Sequence, residues 1–384
     1  MKKLLSPMIK EFEVKIADEV LIDLKMRLEN SRWIADNVAM AWQYGTNKSY
    51  LKDLVDYWQN TFSWREVEDK INRFPNYIAA IDGFQIHFVY IRSKAERSIP
   101  LIITHGWPGS FLEMLHLIPL LTEDTVFSFD LVIPSLPGFG FSSLPTPHGC
   151  SSRTVATLWQ KLMKELGYER FAVQGGDIGA GVSSYIGLLY PENVIGMHLN
   201  YIPGSYKPFI EPDEIDSDEI IAYKKKATEW YNREGAYSFL QSTKPATPAY
   251  GLNDSPLGLC AWILEKFMSW SDHDGDMEHV FSKDELLANI TLYWVTQSIY
   301  SSFCIYNENS KQSLQLKKGE FISPPLCFAK FPRELPTPPR VLVSKGYHIK
   351  EWIEMPRGGH FAALEQPQLL AESIKNFFMQ LTLA

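Results

Sequence analysis

Four short, uninterrupted apolar runs constrain this chain more than any other feature: Leu101–Thr104, Leu131–Pro134, Phe171–Gln174 and Val194–Leu199. A strand wet on one face alternates apolar with polar residues. A strand buried on both faces does not, and parallel sheets covered by crossover helices are built from such strands. Helical-period segments separate the four runs, so the expected fold class is α/β with a mostly parallel central sheet. Upstream, Tyr77–Ile81 and Phe84–Tyr90 flank Asp82-Gly83. That is a two-residue hairpin signal, because Asp and Gly tolerate the positive φ of a type I′ turn. Residues 12–16 alternate, with Phe12, Val14 and Ile16 apolar and Glu13 and Lys15 charged, which predicts a short strand. Asp18 then stands where it would cap a helix carrying Leu21, Leu24 and Leu28 on one face. Leu51, Leu54, Val55 and Trp58 predict a second helix.

The rhythm breaks between residues 201 and 325, which are aromatic, Pro-rich and mostly helical in period. Val341–Val343 and Trp352–Met355 then resume the strand pattern, and Leu370, Ile374, Phe377 and Phe378 mark a final helix. The expected organisation is an N-terminal extension over 1–95, a core over 96–200 and 326–384, and a helical lid over 201–325. Such an insertion would cover the strand ends, where open α/β sheets bind ligands.

Gly175-Gly176-Asp177-Ile178-Gly179 directly follows the third buried run, and Ala180-Gly181-Val182-Ser183-Ser184 continues as a helix of small residues. This is the G-x-nucleophile-x-G elbow of the α/β-hydrolase fold, with Asp where Ser usually stands. The glycines have a mechanical reason: the strand reverses sharply into a helix and leaves no room for neighbouring side chains. The competing reading is a Gly-rich turn whose Asp only caps the helix. Three features weigh against it. His105-Gly106-Trp107-Pro108-Gly109 lies between a buried strand and a helix, where this fold places one oxyanion-hole donor. The donors would be the N–H groups of Trp107 and Ile178, with His105 structural. Arg357-Gly358-Gly359-His360-Phe361 lies between the last strand and last helix, where a triad histidine belongs. Glu334, in Phe331-Pro332-Arg333-Glu334-Leu335, sits after the preceding strand, giving the order nucleophile, acid, histidine. Position alone leaves Glu351 and Glu354 as rivals for the acid, although both flank a strand rather than a loop.

An aspartate nucleophile changes the reaction class. An ionised carboxylate needs no base to attack. It suits displacement at an sp³ carbon and leaves a covalent ester on the enzyme. His360 would then activate a water against that ester, with Glu334 holding its tautomer. The leaving group is either a halide or an epoxide oxygen.

At these residues the chain resembles the microsomal-type epoxide hydrolases. The likeness extends to Phe62-Ser63-Trp64-Arg65, the Asp82-Gly83 hairpin, His105–Phe111 and Leu136-Pro137-Gly138-Phe139-Gly140-Phe141-Ser142. It continues through Thr243-Lys244-Pro245, Asp254–Leu259 and Leu264-Glu265-Lys266-Phe267. The resemblance implies hydrolysis of a small apolar epoxide by water to a vicinal diol, without a cofactor. It also implies that two lid tyrosines hold the epoxide oxygen. These fall on Tyr237, before Thr-Lys-Pro, and on Tyr306, before Asn307-Glu308-Asn309. Spacing could not have chosen them among 18 tyrosines. The Phe-Pro-x-Glu context favours Glu334 as the acid. A homodimer is expected from related soluble proteins.

Composition closes other classes. With 37 Lys+Arg against 45 Asp+Glu, the net charge is −8 and no basic block occurs. Nucleic acid is therefore not an expected partner. No run approaches the ~18 uncharged apolar residues of a membrane span. Met1–Pro7 carries no apolar stretch behind its lysines, so neither a signal peptide nor a membrane anchor is expected. Cys150, Cys260, Cys304 and Cys327 have no C-x-x-C spacing and read as buried thiols of a reducing, cytoplasmic setting. Asp272-His273-Asp274-Gly275-Asp276 is similar to a calcium loop, but Lys283 occupies the position of the bidentate Glu, so no metal is expected. Two rival functions stay open. A haloalkane dehalogenase would share the aspartate, but its halide-holding Trp usually follows the nucleophile, where Ile178 stands here. A non-catalytic small-molecule receptor could retain the whole triad.

Overall fold

A computed structural model describes residues 6–35, 42–144 and 149–383; the extreme N-terminal segment Met1–Leu5, part of the anchor argument, lies outside them. The N-terminal region supplies strand β1 (Ile9–Phe12), helices α1 (Asp18–Glu29), α2 (Lys48–Asn60) and α3 (Trp64–Asn72), and the hairpin of β2 (Asn76–Ile81) and β3 (Phe84–Ile91). At the hairpin turn φ is 49° at Asp82 and 84° at Gly83, the left-handed pair that a type I′ turn requires. The chain continues through β4 (Arg97–Thr104), α4 (Leu117–Thr122), β5 (Phe127–Pro134), α5 (Ser152–Glu165), β6 (Phe171–Gly175), α6 (Asp177–Leu189) and β7 (Val194–Leu199). Six helices follow: α7 (Asp218–Glu234), α8 (Ala236–Thr243), α9 (Ala246–Asp254), α10 (Pro256–Trp270), α11 (Lys283–Val295) and α12 (Ile299–Lys311). The chain then returns to the sheet with β8 (Ile322–Lys330), α13 (Arg340–Val343), β9 (Tyr347–Glu354), α14 (Ala362–Glu365) and α15 (Pro367–Leu383).

The strands form one sheet in the order β1-β2-β3-β5-β4-β6-β7-β8-β9. The six from β5 to β9 run parallel, as the buried runs predict. Successive residues of one run feed opposite faces. Ile102, Val132 and Val173 pack with α5 and α6, whereas Leu101, Ile103, Leu131 and Ile133 pack with α4 and α15. That two-sided burial is why the runs do not alternate. The chain passes from β4 outward to β5, then returns to the other side of β4 for β6. Thr104 at the end of β4 lies in register with Gly175 at the end of β6. The crevice of this α/β sheet therefore opens where those two strands end.

The N-terminal extension joins the core sheet directly: β3 pairs antiparallel with β5 and carries β2 and β1 onto it. Three expectations need correction. The alternating segment 12–16 leaves the ladder after Phe12. Its amides bond side chains instead, Val14 N–H to Asn72 Oδ1 (2.9 Å) and Ile16 N–H to Glu68 Oε1 (2.6 Å). Asp18 is the first helical residue of α1 rather than its cap, and its carboxylate takes Arg65 instead. Val341–Val343 belongs to α13, started by Pro339; the strand before β9 is β8, which begins at Ile322, inside the segment assigned to the insertion. Pro324-Pro325 hid it, since proline cannot donate to a ladder. The structure meets this with a register shift between Ile322 and Leu326.

Glu68 fastens the N-terminal segment to α3. It is buried, and it accepts from Ile16 N–H, from Trp64 Nε1 (2.9 Å) and from Arg65 Nη1 (2.5 Å). Glu68→Ala strands these donors and should lower unfolding stability by about 2–4 kcal/mol. Urea denaturation measures this; a midpoint equal to wild type would remove Glu68 as the fastening group.

Candidate active site

Asp177 opens α6 directly after Gly176, with a φ of 45°. A β-carbon on Gly179 would lie 1.9 Å from the carbonyl oxygen of Thr104, and one on Gly106 would lie 2.2 Å from Asp177 Oδ1. Glycine at these two positions lets the elbow press against the end of β4 and lets the following loop reach the carboxylate. Trp107 N–H donates to Asp177 Oδ1 at 2.8 Å. Ile178 N–H lies in the first turn of α6, among the amides that a helix leaves without an intrahelical partner. Of the two expected oxyanion donors, the Trp107 N–H contacts the Asp177 carboxylate directly. His105 is buried, with Nδ1 on Gly106 O (3.0 Å) and Nε2 accepting from Leu136 N–H (3.1 Å). Burial lowers its pKa to about 4, so it stays neutral and structural.

His360 stands on the other side of Asp177, its Nε2 3.6 Å from Oδ2. Its Nδ1 bonds Glu334 Oε1 at 2.6 Å. The imidazole is 2% exposed and the Glu334 side chain 1%, against 17% for Asp177. Burial alone would depress the imidazolium. The charge of Glu334, its hydrogen bond to Nδ1 and the nearby carboxylate of Asp177 outweigh it and hold His360 well above its ordinary value. Glu354 pairs with Lys330 on the neighbouring strand, and Glu351 lies across from Cys327. Neither rival acid reaches His360.

Several residues that hold the histidine were invisible in the sequence. Glu365 accepts from Asp272 N–H, Gly359 N–H and Phe361 N–H, all within 2.8 Å. Burial pushes its carboxyl up to about 7. Asp272, from the calcium-like segment, accepts from Gly358 N–H at 2.7 Å. The motif thus orders the loop that carries His360. Among the described residues no group of three or more His, Cys, Asp and Glu side chains is placed to hold a metal. Trp270 receives the His360 N–H on its carbonyl (2.9 Å) and sets its indole against the imidazole, 5.2 Å between centroids.

Tyr237 on α8 and Tyr306 on α12 come to the same chamber from helices far apart in sequence. Their rings meet edge-on, 6.0 Å between centroids. The Trp107 ring stacks on Tyr237 (5.2 Å, 10°) and meets Tyr306 edge-on (5.9 Å, 88°). Burial raises both phenols well above their ordinary value, and the nearby charge of Asp177 adds to it. Helix α11 clamps the loop after β4: Asn289 Nδ2 donates to Pro108 O and Tyr293 Oη to Gly109 O, both at 2.8 Å. Beneath Asp177 and His360 lies a cavity of about 30 Å³, also lined by Glu113, Gln174 and Asn200. That is the space of one water molecule. Gln174 Oε1 is buried there without a partner.

Residues 9–114 match the family model for the epoxide hydrolase N terminus, and residues 99–244 match that for the alpha/beta hydrolase fold. Epoxide hydrolase 1 of Sus scrofa is 37% identical over 96% of this chain and 88% of its own length. The solved Aspergillus niger epoxide hydrolase superposes with a TM-score of 0.87 at 31% identity, covering 98% of this chain and 97% of that one. The juvenile hormone epoxide hydrolase of the silkworm Bombyx mori gives a TM-score of 0.89 at 30% identity, covering 99% and 96%. With such likeness along nearly its whole length, this chain belongs to the epoxide hydrolase family and carries the α/β-hydrolase fold.

Proposed function

We propose that the chain converts small apolar epoxides to vicinal diols through an ester on Asp177. One observation carries the reading: a carboxylate with an N–H donor on one oxygen and an imidazole beside the other faces a pair of buried phenols. Asp177 Oδ2 attacks an oxirane carbon as the C–O bond breaks toward the ring oxygen. Tyr237 and Tyr306 hold that oxygen, and one of them gives it a proton. The phenols are suited to this because burial keeps them protonated. Helices α7–α12 serve as the lid that brings both tyrosines over the nucleophile.

The charge of Asp177 helps to hold His360 protonated. Forming the ester removes it. The imidazolium then gives up its proton, which restores the tyrosine, and the neutral ring can act as a base. It takes a proton from water as the oxygen of that water attacks the ester carbonyl; the cavity below the pair offers a place for this molecule. The negative oxygen of the tetrahedral intermediate is Oδ1, already facing Trp107 N–H. Collapse releases the diol oxygen, protonated by His360, and the Asp177 carboxyl returns its proton to the ring. The sum is one epoxide and one water to one diol. A halide would have no use for a pair of proton donors, and Ile178 offers it no indole N–H. The four buried cysteines are unpaired, which supports a reducing, cytoplasmic location.

His360→Gln should trap the ester. Brief exposure to styrene oxide should give a stoichiometric adduct of the epoxide's mass, mapped to Asp177 by peptide mass spectrometry. Absence of adduct across a panel of epoxides, with inactive wild type, would move the assignment to a receptor. Tyr237→Phe or Tyr306→Phe should slow ester formation by roughly 10²-fold, as expected for loss of a placed proton donor; unchanged single-turnover rates in both would remove the tyrosines. The pH dependence has a definite sign. His360 is raised in the folded protein, so its contribution to stability is fully present below the ordinary histidine value and is lost as pH rises through the folded one. Asp177→Asn should move the His360 titration downward, read from imidazole ¹⁵N shifts. An unmoved midpoint would show that Asp177 does not hold the proton.

A further inference from the structure

The mechanism above leaves Lys266 without a task, although it lies inside the aromatic chamber. Its side chain is only 8% exposed, and Nζ is 2.5 Å from Glu265 Oε2. The ammonium sits 4.9 Å from the ring centroid of Tyr237 and 5.5 Å from that of Trp270. Burying an ion pair is a poor route to stability, because the desolvation cost of both groups offsets their attraction. A lysine on a helix could stay in water with its stem alone buried. Here the charged end itself is set against the face of a proposed proton donor.

That placement has a chemical consequence. The face of an aromatic ring attracts cations through its negative quadrupole. A phenolate carries far more negative charge in its ring than a phenol does. The attraction therefore grows as Tyr237 loses its proton. Of the remaining charged and titratable neighbours, Asp177, Tyr231 and Glu265 oppose ionisation of the phenol and Tyr306 alone favours it. We propose that Lys266 is a positioning residue for epoxide opening: its ammonium, pinned by Glu265 against the Tyr237 ring, supports transfer of the Tyr237 proton to the departing oxygen. The electron pair of the breaking C–O bond goes to that oxygen, the proton follows from Tyr237 Oη, and the phenolate charge spreads into the ring under Lys266. The phenol is then restored from His360. The inference rests on Tyr237 being a donor in the proposed reaction. The rival role runs through Trp270, which touches both Lys266 and His360; in that case the cation would act on ester hydrolysis.

The two steps separate in single-turnover tryptophan fluorescence on the full chain with styrene oxide. The set is wild type, Lys266→Met and Lys266→Arg, each with and without Tyr237→Phe. Lys266→Met should slow ester formation about tenfold and leave ester hydrolysis unchanged. Lys266→Arg, which keeps a cation, should recover most of the rate. In the Tyr237→Phe background Lys266→Met should cost nothing further. Equal slowing in both backgrounds, a loss confined to hydrolysis, or no loss would overturn the proposal. Lys266→Gln serves the same cycle should the Met variant not fold. If Tyr237→Phe itself forms ester at the wild-type rate, the donor assignment fails and this inference with it. If Tyr237→Phe is slow but the cycle is additive, only the role of Lys266 fails.

Discussion

The negative charge of Asp177, placed in an apolar chamber, acts on the protonation of every titratable group around it. Burial is the first influence on each neighbour, and it favours the uncharged form. For Tyr237, Tyr306 and Tyr293 the aspartate charge adds to burial and keeps the phenols intact. Glu113 is pushed up to about 8, first by burial, with the His360 charge opposing and Asp177 adding, so it is a neutral acid near pH 7. His360 alone goes the other way, because two carboxylates face it. A charge in low dielectric reaches further than it would in water. In the proposed reaction, esterification of Asp177 would therefore act on His360 without a large movement of the chain.

The backbone that presents this charge depends on close approach. The elbow after β6 and the loop after β4 touch through positions where only glycine fits, and Trp107 spans the result. Its amide serves the carboxylate, and its ring forms the wall against which both tyrosines pack. The helices between β7 and β8 are joined to the same loop by Asn289 and Tyr293. Donor, wall and cover thus share one short segment, which ties the geometry of the first step to that of the second.

How much of this was legible in the sequence follows from the range of each constraint. The sheet runs, the hairpin and the elbow were readable, because burial on two faces, positive φ and missing side-chain space leave local marks. Asp177, Glu334 and His360 come together as the order of motifs implied. Tyr237 and Tyr306 were reached only through family resemblance, since a tyrosine on a helix carries no local sign of what it faces. Glu365 gave no functional signal, and nothing local showed that Asp272, Trp270 and Lys266, though they lie in segments that stood out, would gather near His360. Their roles arise where α10 meets the loop after β9, a contact that no periodicity encodes. Strand β8 was missed for the opposite reason: Pro324-Pro325 is a strong local signal against a strand, and tertiary pairing overrode it. Val341–Val343 was too short for β-branched composition to decide anything against the prolines before it.

The order of the strands along the chain has a temporal side. Asp177, Trp107 and Ile178 all precede the six inserted helices, whereas Glu334 and His360 follow them. A ribosome emits the chain from its N-terminus, and elements can fold as they emerge. The proposed nucleophile and its proposed amide donors are therefore synthesised, and the two lid tyrosines after them, before the histidine proposed to discharge the ester. Strand β9, which precedes the loop that carries His360, is the outermost strand of the sheet and pairs with β8. In the proposed reaction, turnover, as distinct from one irreversible capture, therefore depends on the last layer of the sheet.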